Sequence, residues 1–252
     1  MLEWPDVQKL QNQAEEIARF YENAGIVVHW AHSPSNLPNF LFQRDLFFMT
    51  PEGAVLARPG SDQRALEART AASVLSGLGV PILATPRGDA IFEGADALWL
   101  NAKTVLIGIG LRTNRAGADL VAYILREMGI TSIAVILPSG VQHLLGVVNL
   151  VDHNLAAIRA DKASDELQSV LRSMNIEIIS CPPGEEVSER LGMNFVTIAP
   201  RRVVMSTGCP FLKKELSLAG ITAHELEVSE YRKAAGGLGC LTGILKRRCA
   251  PS

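Results

Sequence analysis

Near its C-terminal end the chain reads AAGGLGCLTG, residues 234–243, a run in which glycines crowd Cys240. Glycine has no Cβ, so backbone or a ligand can come close to such a segment. Two readings are open. The thiol is a small buried hydrophobe in a tight turn, as free cysteines often are, or it is a nucleophile held open to a substrate. The second reading needs an acid–base, a group that orients it, and a cradle for the substrate. PNFLFQRDLFF places Asn39 and Asp45 around an apolar run, FEGADALWL places Glu93 and Asp96 just ahead of one, and SGVQHLLGVV sets His143 at the entrance of another. Each has an ordinary alternative: Asp45 pairs with Arg44 or caps a turn, Glu93 is a turn residue beside Gly94, and His143 is a satisfied core histidine. Together they make a nucleophile, an acid–base, a carboxylate that fixes the imidazole tautomer, and a further carboxylate for a cation. A carboxylate buried without a partner is costly, so such groups pair or bind a cation. His29, His32, His153 and His224 lack this placement. Cys181 and Cys209 each precede proline, and Cys249 lies in the tail.

The elements that must position these residues repeat. Five helix-period segments begin near Asp6, Gln63, Arg115, Lys162 and Pro210, at intervals of 57, 52, 47 and 48 residues. Four end in glycine and one in asparagine, the residues preferred just past a helix C-terminus. Each is followed by a short β-rich run: IVVHW, VPILAT, ITSIAVIL, IEIISC and ITAHELEV. Ahead of the last four lie two apolar runs separated by a turn, the first being FLFQRDLFFMT and AVLARP. A period near fifty residues marks an array of one supersecondary unit, here strand, strand, helix, strand. Five units predict a closed ring, which leaves no apolar end face. The first unit lacks its leading hairpin, and CLTGILKR at the other end is expected to complete it as a single strand. The termini then lie side by side, and the incomplete hairpin has an edge that is open or covered by a partner subunit, which would suit a homodimer. A doubly wound α/β sheet is the alternative architecture. The whole chain, 1–252, reads as one domain.

The bulk composition narrows the function. The 252 residues are 48% hydrophobic and 20% charged, with a net charge of −2 and no block of like charge. No nucleic-acid footprint or polybasic membrane patch is present, and LKRRC near the end is a short solvated basic cluster. No apolar run matches a membrane span and the N-terminus lacks a signal-peptide pattern, so a cytoplasmic setting is expected. The four cysteines show neither CxxC nor zinc spacing, which predicts no disulfide framework and no metal site.

NFLFQRD, EGAD, LRTNRAG, QHL and GGLGCLT occur in an order and spacing that resemble the guanidine-modifying superfamily, the penteins. The resemblance runs from about Pro38 to the end. It is greatest to the dimethylarginine dimethylaminohydrolases, with the arginine deiminases next. It implies a five-bladed α/β propeller of ββαβ units and hydrolysis of a guanidino amino acid through a covalent cysteine thiouronium, without cofactor or metal. By the same resemblance Cys240 is the nucleophile, His143 the acid–base and Glu93 its carboxylate partner. Asp45 grips the guanidinium, Arg64 and Arg112 hold the substrate's α-carboxylate, Asn39 lies near its amino-acid end, and Asp96 is counted with the substrate-binding groups. Planar arginine forks suit a carboxylate, as carboxylates suit a guanidinium. Deiminases and amidinotransferases of the superfamily carry an aspartate two residues after the histidine. Leu145 stands there, as expected of the dimethylarginine enzymes, whereas QRD is nearer to the deiminase form. The expectation is therefore conversion of N-methylated arginine to citrulline and methylamine or dimethylamine. A deiminase releasing ammonia and a non-catalytic five-fold binding propeller are the alternatives.

Overall fold

The computed structural model describes residues 3–33, 36–37 and 39–247. Pro38 and the last part of the basic tail, including Cys249, lie outside the described residues. The chain opens on helix α1 (Val7–Asn23) and then repeats one unit four times. The first repeat has the helical turn α2 (Gln43–Leu46), strands β1 (Phe47–Met49) and β2 (Ala54–Leu56), helix α3 (Ala65–Gly77) and strand β3 (Ile82–Ala84). The second has β4 (Ala97–Asn101), β5 (Thr104–Ile109), α4 (Arg115–Glu127) and β6 (Thr131–Ile136). The third has β7 (Val148–Asp152), β8 (Leu155–Arg159), α5 (Asp165–Ser173) and β9 (Glu177–Cys181). After the short α6 (Glu185–Ser188), the fourth has β10 (Val196–Ala199), β11 (Arg202–Ser206), α7 (Pro210–Leu218) and β12 (Thr222–Leu226). The turns α8 (Ser229–Lys233) and α9 (Leu238–Leu241) follow.

Each unit forms its own three-stranded sheet. The first two strands pair antiparallel across a short turn, and the helix carries the chain to a third strand parallel to the second. Four small sheets rule out the doubly wound alternative. The middle strands β2, β5, β8 and β11 are apolar and almost wholly buried, as strands covered on both faces must be. The residues after the five long helices, Gly25, Gly79, Gly129, Asn175 and Gly220, all take positive φ, as their sequence positions predict.

The apolar core is shared between neighbouring sheets. Phe48 and Val55 of the first sheet pack with Val105 and Ile107 of the second, whose Leu100 and Leu106 pack with Val148 and Ile158 of the third. Val151 and Ala157 of the third meet Val203 and Met205 of the fourth. The fourth sheet then packs Val196 and Val204 on Ile17 and Tyr21 of α1, with Val28 and Leu241 alongside. Leu245 and Ala31 pack back on the first sheet with Phe40 and Leu56.

The structure departs from the sequence expectation in three places. QRD is a helical turn and not part of the first strand, so that strand begins only at Phe47. IVVHW forms no strand: residues 26–30 run without a ladder, leaving Val27 78% and Trp30 50% exposed. CLTGILKR is a turn of α9 followed by unladdered chain over 242–247. These two segments are held by apolar side chains that reach sideways into the cores on either hand, not by strand pairing. The strand edge expected to call for a partner subunit does not form among the described residues. The termini do lie together, as expected: Tyr21 Oη and Thr242 Oγ1 are 2.9 Å apart, and the Glu3 N–H donates to the Lys233 carbonyl at 3.1 Å. Among the described residues no helix is long and apolar enough to cross a membrane.

Candidate active site

Asp45, Glu93, His143 and Asn194 each stand just ahead of the first strand of one unit, on α2 or on the loop before β4, β7 or β10. The repeat thus delivers one polar side chain per unit to a common place. Gly94 permits the closest of these approaches. A Cβ on it would lie 2.1 Å from the Phe47 carbonyl oxygen and 2.8 Å from that of Arg44. The loop carrying Glu93 can pass against the backbone that carries Asp45 only because residue 94 has no side chain.

The centre of the cluster is Glu93, fully buried. Its Oε2 lies 2.7 Å from His143 Nε2 and 3.4 Å from Arg64 Nη1, and its Oε1 lies 3.5 Å from Arg112 Nη1. Asp45 Oδ2 accepts from Arg64 Nη1 at 3.1 Å, while Asp45 Oδ1, 4.0 Å from His143 Nε2, has no hydrogen-bond partner. Arg64 Nε donates to Glu67 Oε2 at 2.7 Å, and Glu67 is itself buried. Ligand atoms of Asp45, Glu93 and His143 all fall within 4.8 Å of one another, close enough to hold a metal ion, with Arg64 sharing both carboxylates.

Burial and charge set the protonation states. Burial pushes Glu93 up, but the His143 hydrogen bond and charge, with Arg64 and Arg112, outweigh it and hold Glu93 below the usual carboxylate range. Asp45 is raised by burial and by the neighbouring Glu93 charge, against the pull of His143 and Arg64. Burial lowers His143, yet the Glu93 hydrogen bond and the charges of Asp45, Asp96 and Glu93 raise it above its ordinary value. The raised value favours the protonated imidazole, the form that can give a proton away.

Cys240 sits half-buried on α9. Its Sγ accepts from Asn194 Nδ2 at 3.2 Å, and its backbone N–H donates to Asn194 Oδ1 at 3.1 Å. Gly237 makes room for that amide, since a Cβ there would lie 2.8 Å from Asn194 Oδ1. Burial first, then the Asp45 charge, pushes the thiol up to about 11, with Asn194 and Arg44 opposing. A value that high leaves little thiolate at neutral pH, and a further positive charge beside the sulfur would lower it. Alkylation of Cys240 by iodoacetamide should be slow at pH 7 and rise with pH up to about 11. A rate already on its plateau at pH 8, followed by peptide mapping, would show that the resting cysteine is a thiolate.

The remaining sequence candidates sort by what they touch. Asp96, expected among the substrate groups, uses both oxygens within the fold: Oδ2 accepts from Thr113 Oγ1 at 2.7 Å and Oδ1 from the Leu144 N–H at 2.9 Å. Thr113 Oγ1 in turn accepts from the Glu93 N–H at 3.2 Å. Asp96 therefore ties the loops of Glu93, Arg112 and His143 together and is a positioning group. Asn39 donates its backbone N–H to Glu67, and its carbonyl accepts from the Phe42 N–H at 3.0 Å. Leu145 is buried two residues past His143, with its carbonyl holding Asn149 Nδ2 at 2.9 Å. Arg112 keeps a side chain 28% exposed at the rim, whereas Arg64 lies inside the cluster. Asn194, Glu67 and Thr113 are the groups that the sequence reading missed. NFVTIA places Asn194 just ahead of its strand, the position that singles out Asp45, Glu93 and His143 in their units.

Residues 27–161 match the family model for arginine deiminase. The chain is 24% identical over 238 residues to N(G),N(G)-dimethylarginine dimethylaminohydrolase of Pseudomonas aeruginosa, spanning 94% of this chain and 89% of that one. The structure of that enzyme with citrulline superposes with a TM-score of 0.80 at 24% identity, over 94% of this chain and 88% of the other. The N-terminal domain of ArgZ, a cyanobacterial arginine dihydrolase, superposes with a TM-score of 0.83 at 19% identity, over 94% of this chain and 86% of that chain.

Proposed function

Because the chain belongs to the arginine deiminase family, within the guanidine-modifying superfamily, we propose that it hydrolyses the guanidino group of an arginine-type amino acid, with Cys240 as nucleophile. The observation that carries this reading is the buried union of Asp45, Glu93 and His143, a site built for a cation that must also exchange protons. A guanidinium there faces two carboxylates, the partners its planar donors need. Its charge adds to that of Arg44 in lowering the Cys240 thiol, so the thiol proton passes to solvent as substrate binds. The thiolate forms a C–S bond to the guanidinium carbon. His143 gives its proton to the departing nitrogen as the C–N bond breaks, leaving a cysteine thiouronium. The neutral imidazole then takes a proton from water, the resulting hydroxide adds to the same carbon, and the C–S bond breaks to return the thiolate as the new hydroxyl gives its proton to solvent. The products are a ureido amino acid and an amine, and no step calls for a metal or organic cofactor. Arg112 at the rim supports a grip on the α-carboxylate.

The same reading takes 1–252 as one domain closed as a five-bladed ring, with α1 and the 26–33 and 240–247 segments making the incomplete blade. The core that steps from sheet to sheet supports that closure. A cytoplasmic setting suits a thiol that must stay reduced.

We assign N-methylated arginine as the preferred substrate. Leu145 puts an alkyl side chain where an aspartate would pair with guanidinium N–H donors, and an unpaired buried donor costs about 1–3 kcal/mol. Methylation removes those donors and adds apolar area. kcat/KM should therefore be greater for monomethylarginine and asymmetric dimethylarginine than for arginine, by about tenfold or more, and Leu145→Asp should reverse the order. If the parent turns over arginine best and releases ammonia, the deiminase reading, favoured by QRD and by the matching family model, replaces this one.

A further inference from the structure

Arg64 stands where a bound guanidinium would stand. Its Nη1 reaches Asp45 Oδ2 at 3.1 Å and Glu93 Oε2 at 3.4 Å, and the residue is 6% exposed. The two carboxylates assigned above to the substrate are thus already shared with a guanidinium of the protein itself. A second guanidinium cannot join them without placing like charges together in a buried site. Yet Arg64 is not fully satisfied there: its Nη2 is buried without a hydrogen-bond partner, and so is Asp45 Oδ1. Its Nε is held separately, by Glu67 at 2.7 Å, one turn along the start of α3. That contact is on the stem side of the guanidinium, so the group can turn about it and leave Asp45 and Glu93 without losing Glu67.

We propose that Arg64 is a specificity-determining plug: it fills the guanidinium site of the free protein and yields only to guanidines that bring their own anion to draw it out. The proposal rests on the guanidinium-site reading given above and deepens it. A carboxylate on the incoming molecule gives Nη2 the acceptor it lacks and draws Arg64 off the two acids as the new guanidinium arrives. A guanidine without an anion offers no such exchange. It binds only the fraction of molecules in which Arg64 has already left, and its apparent affinity falls by that fraction. An arginine that merely grips the carboxylate makes a different prediction, because its loss leaves anion-free guanidines unaffected.

The test compares arginine with agmatine, which lacks the carboxylate, as ligands measured by calorimetry on the parent and on Arg64→Ala. Arg64→Met serves as the second variant should the alanine form not fold. The plug predicts that agmatine binds the variant about tenfold or more tightly than it binds the parent, while arginine gains nothing or weakens. Agmatine should also raise the melting temperature of the variant more than that of the parent, by refilling the emptied acids. Agmatine affinity unchanged or reduced in the variant overturns the proposal. If arginine and agmatine bind neither protein and the parent consumes no guanidine, it is the guanidinium-site reading itself that fails, with the plug built on it.

Discussion

Replacing Cys240 with serine is expected to leave the fold intact and to remove turnover. The side chain is half-buried, and its interaction is with one amide, Asn194, which serves a hydroxyl as well as a thiol. The chemistry does not survive the exchange. In the proposed mechanism the Cys240 thiol, held at about 11 in the free protein, ionises as a guanidinium arrives beside it. A serine hydroxyl is a far weaker acid and gives no useful anion under the same influence. Loss of the nucleophile should lower kcat by at least about 10³-fold, a barrier increase of roughly 4 kcal/mol. The variant should still bind substrate. Turnover within tenfold of the parent, in a preparation free of parent protein, would rule out Cys240 as the nucleophile.

His143→Ala is expected to cost about 10²–10⁴-fold, the usual worth of an acid–base group, because both half-reactions move a proton through that ring. The pH profile says more than the loss. His143 is raised above its ordinary 6.5, chiefly by the Glu93 hydrogen bond acting against burial. Proton donation to the leaving nitrogen is available below that raised value and is lost as pH rises through it. The alkaline limb of kcat should therefore lie above 6.5 and belong to His143. Glu93→Gln removes the charge that raises it, so the limb should move to lower pH as activity falls. A limb that stays in place in Glu93→Gln would mean that another group donates the proton. The linked stability has the same sign: with Glu93 ionised, the His143 contribution is fully present below 6.5 and is lost as pH climbs through the raised value.

Much of this was legible in the sequence because the fold repeats. Gly25, Gly79, Gly129, Asn175 and Gly220 mark five helix ends by conformational need alone. The paired apolar runs with a turn between them, of which FLFQRDLFFMT and AVLARP are the first, fall on all four hairpins, the first strand starting later than expected, at Phe47. Repetition also explains why Asp45, Glu93 and His143 meet, since each stands at the same place in its unit, just ahead of the first strand. What escaped depended on pairings that no single segment announces. IVVHW has β propensity but meets no strand partner, so it stays unladdered, and propensity without a ladder does not make a strand. Asp96 looks like a ligand group beside Glu93, yet its role is decided by Thr113 and by the Leu144 N–H from other loops. Arg64 was expected at the substrate's carboxylate. Its place among Asp45, Glu67 and Glu93 follows from three carboxylates in one buried space, a charge balance that only the assembled site reveals.

The central claim is that a carbon of the substrate becomes bonded to Cys240 during turnover. The direct measurement is mass spectrometry of the parent protein, quenched in acid at successive times after mixing with excess methylarginine and then digested, with Cys240→Ser as the blank. The account predicts a thiouronium adduct confined to the Cys240 peptide, formed before the ureido product and drained once substrate is exhausted. Ureido product accumulating while the Cys240 peptide stays unmodified at every time, or an adduct carried on Cys181 or Cys209, would contradict it.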